Sequence, residues 1–70
     1  MAAFNPELVR LMRMVLEEVM TRVPMDLATP GIKAHLAEII LKAAAQGETT
    51  YDGLVAAASN QIQAIVSMLS

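Results

Sequence analysis

Apolar residues recur along the chain at intervals of three and four positions, which is the spacing of one face of an α-helix. Three stretches have this pattern, and proline or glycine residues separate each stretch from the next. No stretch alternates apolar and polar residues as a half-buried β-strand would. The pattern therefore predicts an all-α three-helix bundle, with helices at about residues 6–23, 30–46 and 50–69, in a single domain that covers residues 1–70.

The ends of the first two predicted helices have residues that favour helix initiation and termination. Asn5 and Thr29 are suitable N-cap residues, and each is followed by a proline at the first helical position. Pro24 is expected to stop the first helix, and Phe4 is spaced to pack on Val9 as a hydrophobic staple.

The boundary between the second and third predicted helices is marked by a glycine and a pair of threonines. Gly47 is the expected left-handed residue that closes the second helix. Thr49 and Asp52 have the spacing of a capping box, so we expect Thr49 to cap the third helix.

Each helix has an apolar face that can contribute to a shared core. On the first helix it covers close to half of the circumference, which is more than one neighbouring helix needs: Leu8, Leu11, Met12, Val15, Leu16, Val19, Met20 and Val23. The second helix has a ridge of Ile32, Leu36, Ile39, Ile40 and Ala43, and a shallower strip of Ala34, Ala37, Leu41, Ala44 and Ala45. The third helix has Tyr51, Leu54, Val55, Ala58, Ile62, Ile65, Val66 and Leu69.

The third helix is unusual because no residue from Gly53 to Ser70 is charged. On a side away from its apolar face, small residues recur at spacings of 4, 3, 4 and 3, and we call them the small-residue face: Gly53, Ala57, Asn60, Ala64 and Ser67. Small residues at this period allow two helices to approach closely. The segment contains several polar residues and lacks flanking basic anchors, so we do not expect it to enter a membrane.

Two explanations of the uncharged helix remain. The three-helix core could need no partner, with an alanine-rich and glutamine-rich composition accounting for the missing charges. We favour the alternative that a second protein chain covers the small-residue face, most simply in a two-fold homodimer. A chain of 70 residues buries only about 60% of its unfolded surface when it folds alone, so association would add stability.

Composition excludes several other routes to stability and several functions. There is no cysteine for a disulfide and only one histidine, so neither a structural zinc site nor another cofactor is expected. The net charge is −2, and the five cations are scattered among seven acids, which argues against a general phosphate-binding surface. Met12, Met20 and Met68 are expected to fill gaps in the core, whereas Met14 and Met25 are expected on the surface.

No arrangement of residues indicates catalysis. His35 and Glu38 share the polar side of the second helix, where Glu38 is spaced to pair with Lys42, and Glu18 is similarly spaced to pair with Arg22. The order of His35 and Glu38 is the reverse of the one used in di-iron bundles, and both are expected to face water. We therefore expect no enzymatic activity from this chain alone, although an accessory subunit of an enzyme completed by another chain is one alternative.

Residues 48–59, ETTYDGLVAAAS, resemble the start of the helix-turn-helix in TetR-type repressors. This resemblance covers a small part of the chain and implies a DNA-binding regulator as a second alternative. The sequence then departs from that pattern, because SNQIQAIVSML continues without a turn or a cation for phosphate and base contacts. Our leading expectation is a cytoplasmic, non-catalytic interaction or regulatory domain, and the N-terminal residues show no basic region followed by an apolar run.

Overall fold

The computed structural model describes residues 5–69, and three α-helices account for most of them. Helix α1 spans Pro6–Met20, α2 spans Pro30–Ala45 and α3 spans Tyr51–Leu69. A short 3-10 helix, Met25–Leu27, lies between α1 and α2. The predicted all-α, three-helix architecture is confirmed, and the described residues contain no β-strand.

The first two helices begin at the predicted capping residues. The Asn5 side chain accepts a hydrogen bond from the Leu8 amide at 2.7 Å, and the Thr29 hydroxyl accepts one from the Ile32 amide at 3.2 Å. Each bond satisfies one of the amides that a helix leaves without a partner in its first turn. The staple predicted between Phe4 and Val9 lies outside the described residues.

Helix α1 ends at Met20, three residues earlier than the sequence predicts. Beyond this point the Arg22 amide bonds to the Val19 carbonyl and the Val23 amide to the Met20 carbonyl, at 3.0 and 3.3 Å. These bonds to the third preceding residue are those of a tightened 3-10 turn. The chain thus leaves the α-helical conformation gradually before Pro24, which disfavours helical geometry in the residue before it.

A left-handed glycine closes α2, as predicted. Gly47 has φ of 103°, and it follows the C-cap residue Gln46. The Glu48 amide bonds to the Ala43 carbonyl at 3.0 Å and the Gly47 amide to the Ala44 carbonyl at 3.1 Å. This pair of bonds defines a Schellman motif, which satisfies two carbonyls at the helix end and reverses the chain toward α3.

The residue that caps α3 is Thr50, and the prediction of Thr49 is wrong. The Thr50 hydroxyl accepts a hydrogen bond from the Gly53 amide at 3.1 Å, and its carbonyl accepts the first helical bond, from Leu54, at 3.0 Å. Thr49 still belongs to the connection that follows Gly47, so its hydroxyl is one residue too early to bond an α3 amide in this way. The predicted capping box of Thr49 and Asp52 consequently does not form.

The core lies between the three helices and contains only apolar side chains. Among the described residues, these are buried: Met12, Val15, Val19, Val23, Leu36, Ile40, Ala44, Leu54, Val55, Ala58 and Ile62. Half-buried apolar side chains pack around them, including Leu8, Leu11, Leu16, Met20, Ile32, Ile39 and Val66. The predicted apolar faces are therefore largely confirmed. Ala44, which the sequence assigns to the shallower strip of the second helix, is also part of the core.

Two apolar side chains of α3 lie farther from the core than predicted. Met68 is 83% exposed, so the prediction that it fills a core gap is wrong. Its position near the end of α3 is past Ile62, the last buried residue among the side chains of the helix that the structure describes. Tyr51, at the other end of α3, is 37% exposed. Met14 and Met25 are exposed, as the sequence predicts.

Helices α1 and α3 run in the same direction, and a polar contact joins Arg22, just beyond the end of α1, to the middle of α3. The Arg22 guanidinium donates one hydrogen bond to the Ser59 hydroxyl and another to the Glu18 carboxylate, both at 3.3 Å. The predicted Glu18–Arg22 pair is therefore confirmed, and it positions the guanidinium to reach α3. Near the start of both helices, Thr49 lies beside Leu8.

Candidate interaction surfaces

The small-residue face lies on the side of α3 that points away from the core. Asn60, Ala64 and Ser67 are exposed, while Gly53 and Ala57 are half-buried. The core side of the same helix is formed by Leu54, Ala58 and Ile62 among others. In the single chain this face is therefore largely open and none of its residues is charged, and its burial against a second chain stays a prediction.

An acidic side chain covers the N-terminal end of the small-residue face. The Glu48 side chain lies directly over Gly53, where a Cβ atom would overlap the carboxylate. The same carboxylate accepts a hydrogen bond from the Thr50 hydroxyl at 3.4 Å. With the exposed Asp52 nearby, this end of α3 is negative, whereas the remainder of the face is neutral. The face is thus negative at its N-terminal end and neutral elsewhere, which affects how two copies can pair.

No described helix, α3 included, is long and apolar enough to cross a membrane.

A second open surface lies between α1 and α2, and we call it the α1–α2 groove. It is a shallow depression of about 170 Å³ lined by Val9, Met12, Arg13, Leu16, Ala37, Ile40 and Leu41. Leu41 is 44% exposed, and Val9 and Leu16 are half-buried. The groove accounts for the unusual width of the apolar stripe on α1, because Val15 and Val19 are buried in the core and the edge at Leu16 is left partly open.

The sequence alone does not identify this groove. Ala37 and Leu41 belong to the shallower strip of α2, and Leu16 belongs to the stripe of α1, but periodicity does not tell which strips of two helices become neighbours. Val9 is assigned by its sequence only to the staple with Phe4. The one available signal is that the α1 stripe is too wide for a single neighbour.

A small apolar patch on the other side of α1 has an acidic border. Met14, which is 59% exposed, lies beside Tyr51 of α3, with Glu17, Glu18 and Thr21 around them. The patch is open and joins the start of α3 to the outer side of α1. Its acidic border distinguishes it from the α1–α2 groove, whose lining contains no acid.

The polar side of α2 forms the predicted ion pair. The Lys42 ammonium lies 3.2 Å from the Glu38 carboxylate, and both side chains are mostly exposed. His35 is also exposed. Among residues 5–69, no three histidine or acidic side chains are close enough together to hold a metal ion.

Three of the five cations have defined neighbours. Arg22 and Lys42 are in ion pairs with glutamates, and Arg13 lines the α1–α2 groove. Helix α3 continues from Tyr51 to Leu69, so no turn follows the segment that resembles a TetR-type helix-turn-helix. The structure thus departs from the helix-turn-helix pattern at the same point as the sequence. Comparison of the chain with protein-family models, curated proteins and solved structures found no match.

Proposed function

We propose that this protein is a non-catalytic, cytoplasmic interaction domain that forms a homodimer through the small-residue face of α3. One observation carries the proposal: none of the residues that form this outward face of α3 is charged, although five cations and seven acids occur elsewhere in the chain. Exposed surfaces of small domains normally mix charged residues of both signs, which keeps them soluble. A second chain that covers the face makes charged residues unnecessary there.

The small size of the core supports the same proposal. Within the described residues, the buried core comprises eleven side chains and no aromatic one. Domains of this length have little stability to spare, and oligomerisation is one of the common ways in which they gain more. A typical stable interface buries roughly 800 Å² on each partner. For this chain that is about one sixth of the 4850 Å² that are accessible in the monomer.

The spacing of the face favours a two-fold axis near Asn60. In an antiparallel pair centred there, Gly53 of one copy lies opposite Ser67 of the other, and Ala57 lies opposite Ala64. Small side chains at Ala57, Asn60 and Ala64 let the helix backbones approach closely, whereas at Gly53 the Glu48 side chain has to move aside for the partner helix. The two Asn60 amides meet at the axis, where each can donate and accept a hydrogen bond and so fix the register.

The charges at the start of α3 favour antiparallel over parallel pairing. In a parallel pair, Glu48 and Asp52 of both copies would gather at one end and repel each other. In an antiparallel pair, each acidic end instead meets the neutral end of the partner helix. The dipoles of the two α3 helices also oppose each other in this arrangement, which is favourable.

The test introduces a charge into the face and measures the molar mass in solution. Ala57→Glu and Ala64→Arg should each convert the dimer to a monomer of lower thermal stability, because a charge would be buried without a partner. Ala34→Glu is the matched control: it places the same charge on an exposed alanine of α2 and should leave the dimer intact. A monomeric unmodified protein at tens of micromolar would refute the proposal.

Mixing the two variants tests the orientation. When Ala57→Glu and Ala64→Arg chains are combined, an antiparallel pair places the new carboxylate opposite the new guanidinium, so heterodimers should form where neither variant dimerises alone. Parallel pairing puts each position opposite itself and gives no such rescue. Failure of the mixture to associate would contradict the antiparallel arrangement.

A further inference from the structure

We infer that the α1–α2 groove binds an amphipathic helix of a partner protein, with acidic residues beside the apolar ridge of that helix. This goes beyond the proposed homodimer, because the groove and the small-residue face belong to different surfaces. The groove lies between α1 and α2, whereas the face is on the side of α3 that points away from both. A dimer formed through α3 therefore leaves one groove open on each copy.

The shape of the groove suits a helix. Two neighbouring helices form its walls, with Val9 and Leu16 two turns apart on α1, and Ala37 and Leu41 one turn apart on α2. Ala37 is the smallest of these side chains, so a ridge of a third helix can pack above it. A helix docked here would complete a four-helix bundle, with α3 covering the opposite side of α1 and α2.

The volume argues against a small-molecule site. The groove holds about 170 Å³ and is open along its length, whereas pockets for small ligands usually measure roughly 300–1,000 Å³ and enclose most of the ligand. An open apolar groove between helices is instead the kind of surface that receives the apolar face of an amphipathic helix.

The charge at the groove specifies the partner further. Arg13 is the one charged residue in the lining, and no acid lines the groove. The two ion pairs among residues 5–69 are Glu18–Arg22 and Glu38–Lys42, so neither engages Arg13. Glu17 is one turn farther along α1 and lines the Met14–Tyr51 side instead. A carboxylate at the edge of the docked helix can pair with the Arg13 guanidinium, while a lysine there would be repelled.

The experiment uses two synthetic helical peptides of about five turns, identical in their leucine ridge. One has glutamates beside the ridge and the other has lysines. Methyl NMR of the intact protein should show the Met12 methyl shifting with the glutamate peptide, while that of Met25, which is 92% exposed and outside the groove, stays in place. The glutamate peptide should bind about tenfold more tightly than the lysine peptide, which corresponds to about 1.4 kcal/mol.

Variants locate the binding and test the role of charge. Leu41→Glu should abolish binding of the glutamate peptide, and Met25→Glu, the same change at an exposed apolar residue elsewhere, should leave it unchanged. Arg13→Glu should reverse the preference between the two peptides. Circular dichroism of each variant checks that the helices are retained. If Met25→Glu weakens binding of the glutamate peptide as much as Leu41→Glu does, the assigned site is contradicted.

Two other outcomes would overturn the inference. Equal affinity for both peptides, or no shift of Met12 with either, would refute a groove selective for acidic helices. A lower molar mass of Leu41→Glu in the absence of peptide would show that a second copy of the chain occupies the groove, for example through its acid-bordered Met14 patch. The Ala57→Glu monomer should still bind the glutamate peptide. The experiments therefore distinguish an error in the proposed dimer from an error in the proposed binding groove.

Discussion

Replacing Leu36 with alanine tests the arrangement of the core most sharply. Leu36 lies in the middle of α2, is 0% exposed, and is among the largest side chains that are fully buried. It belongs to the same buried cluster as Val15 of α1 and Leu54 of α3. Its removal should therefore weaken the packing of all three helices together.

The magnitude follows from the burial. Leu36→Ala removes the equivalent of about three buried methylene groups at roughly 0.8 kcal/mol each, or about 2.4 kcal/mol in transfer free energy. The cavity that remains adds to this loss, since measured leucine-to-alanine costs reach about 2–5 kcal/mol. We expect a decrease of about 3 kcal/mol in the free energy of unfolding. A domain of 70 residues has roughly 4–10 kcal/mol in total, so the variant would be close to unfolding.

The assay is urea unfolding followed by circular dichroism, at one fixed protein concentration because an associating protein gains apparent stability with concentration. The matched control is Leu41→Ala, the same change on the same helix at a side chain that is 44% exposed. We expect this control to cost about 1 kcal/mol or less, because much of its surface already faces water. Equal losses for the two variants would refute the assignment of the core face of α2.

The remaining predictions concern helix ends. Gly47→Ala should cost about 1–2 kcal/mol, because an alanine at φ of 103° is strained. Gly31→Ala, in the first turn of α2 with room for a methyl group, should be neutral or stabilise by up to about 0.5 kcal/mol, and thermal unfolding of the two variants checks the contrast. Thr50→Ala should cost about 1 kcal/mol through loss of the α3 cap, whereas Thr49→Ala should change little. If urea unfolding shows a larger loss of stability for Thr49→Ala than for Thr50→Ala, the assignment of Thr50 as the cap is refuted in favour of Thr49.

Local signals were sufficient to predict the helices and most of their ends. Asn5 and Thr29 cap α1 and α2, and Gly47 closes α2, because each needs only its own side chain or backbone freedom and the next few amides. The choice between Thr49 and Thr50 depends on the path of the chain after Gly47. Residue spacing does not contain that information.

Features that depend on how the helices meet were predicted less well. Met68 falls near the end of α3, past the buried side chain of Ile62, and composition alone does not show that it is left exposed there. The α1–α2 groove needs the relative rotation of two helices, which brings Leu16 of α1 near Leu41 of α2. The uncharged face of α3 is visible in the sequence, but its partner stays a prediction because a single chain leaves it open.

The molar mass of the unmodified protein in solution tests the central claim most directly. Sedimentation equilibrium at micromolar to tens-of-micromolar concentrations should give twice the 7.5 kDa of one chain, and Ala57→Glu should return the value to that of one chain under the same conditions. A mass of 7.5 kDa for the unmodified protein over the whole range would contradict the proposal that a second copy covers the small-residue face.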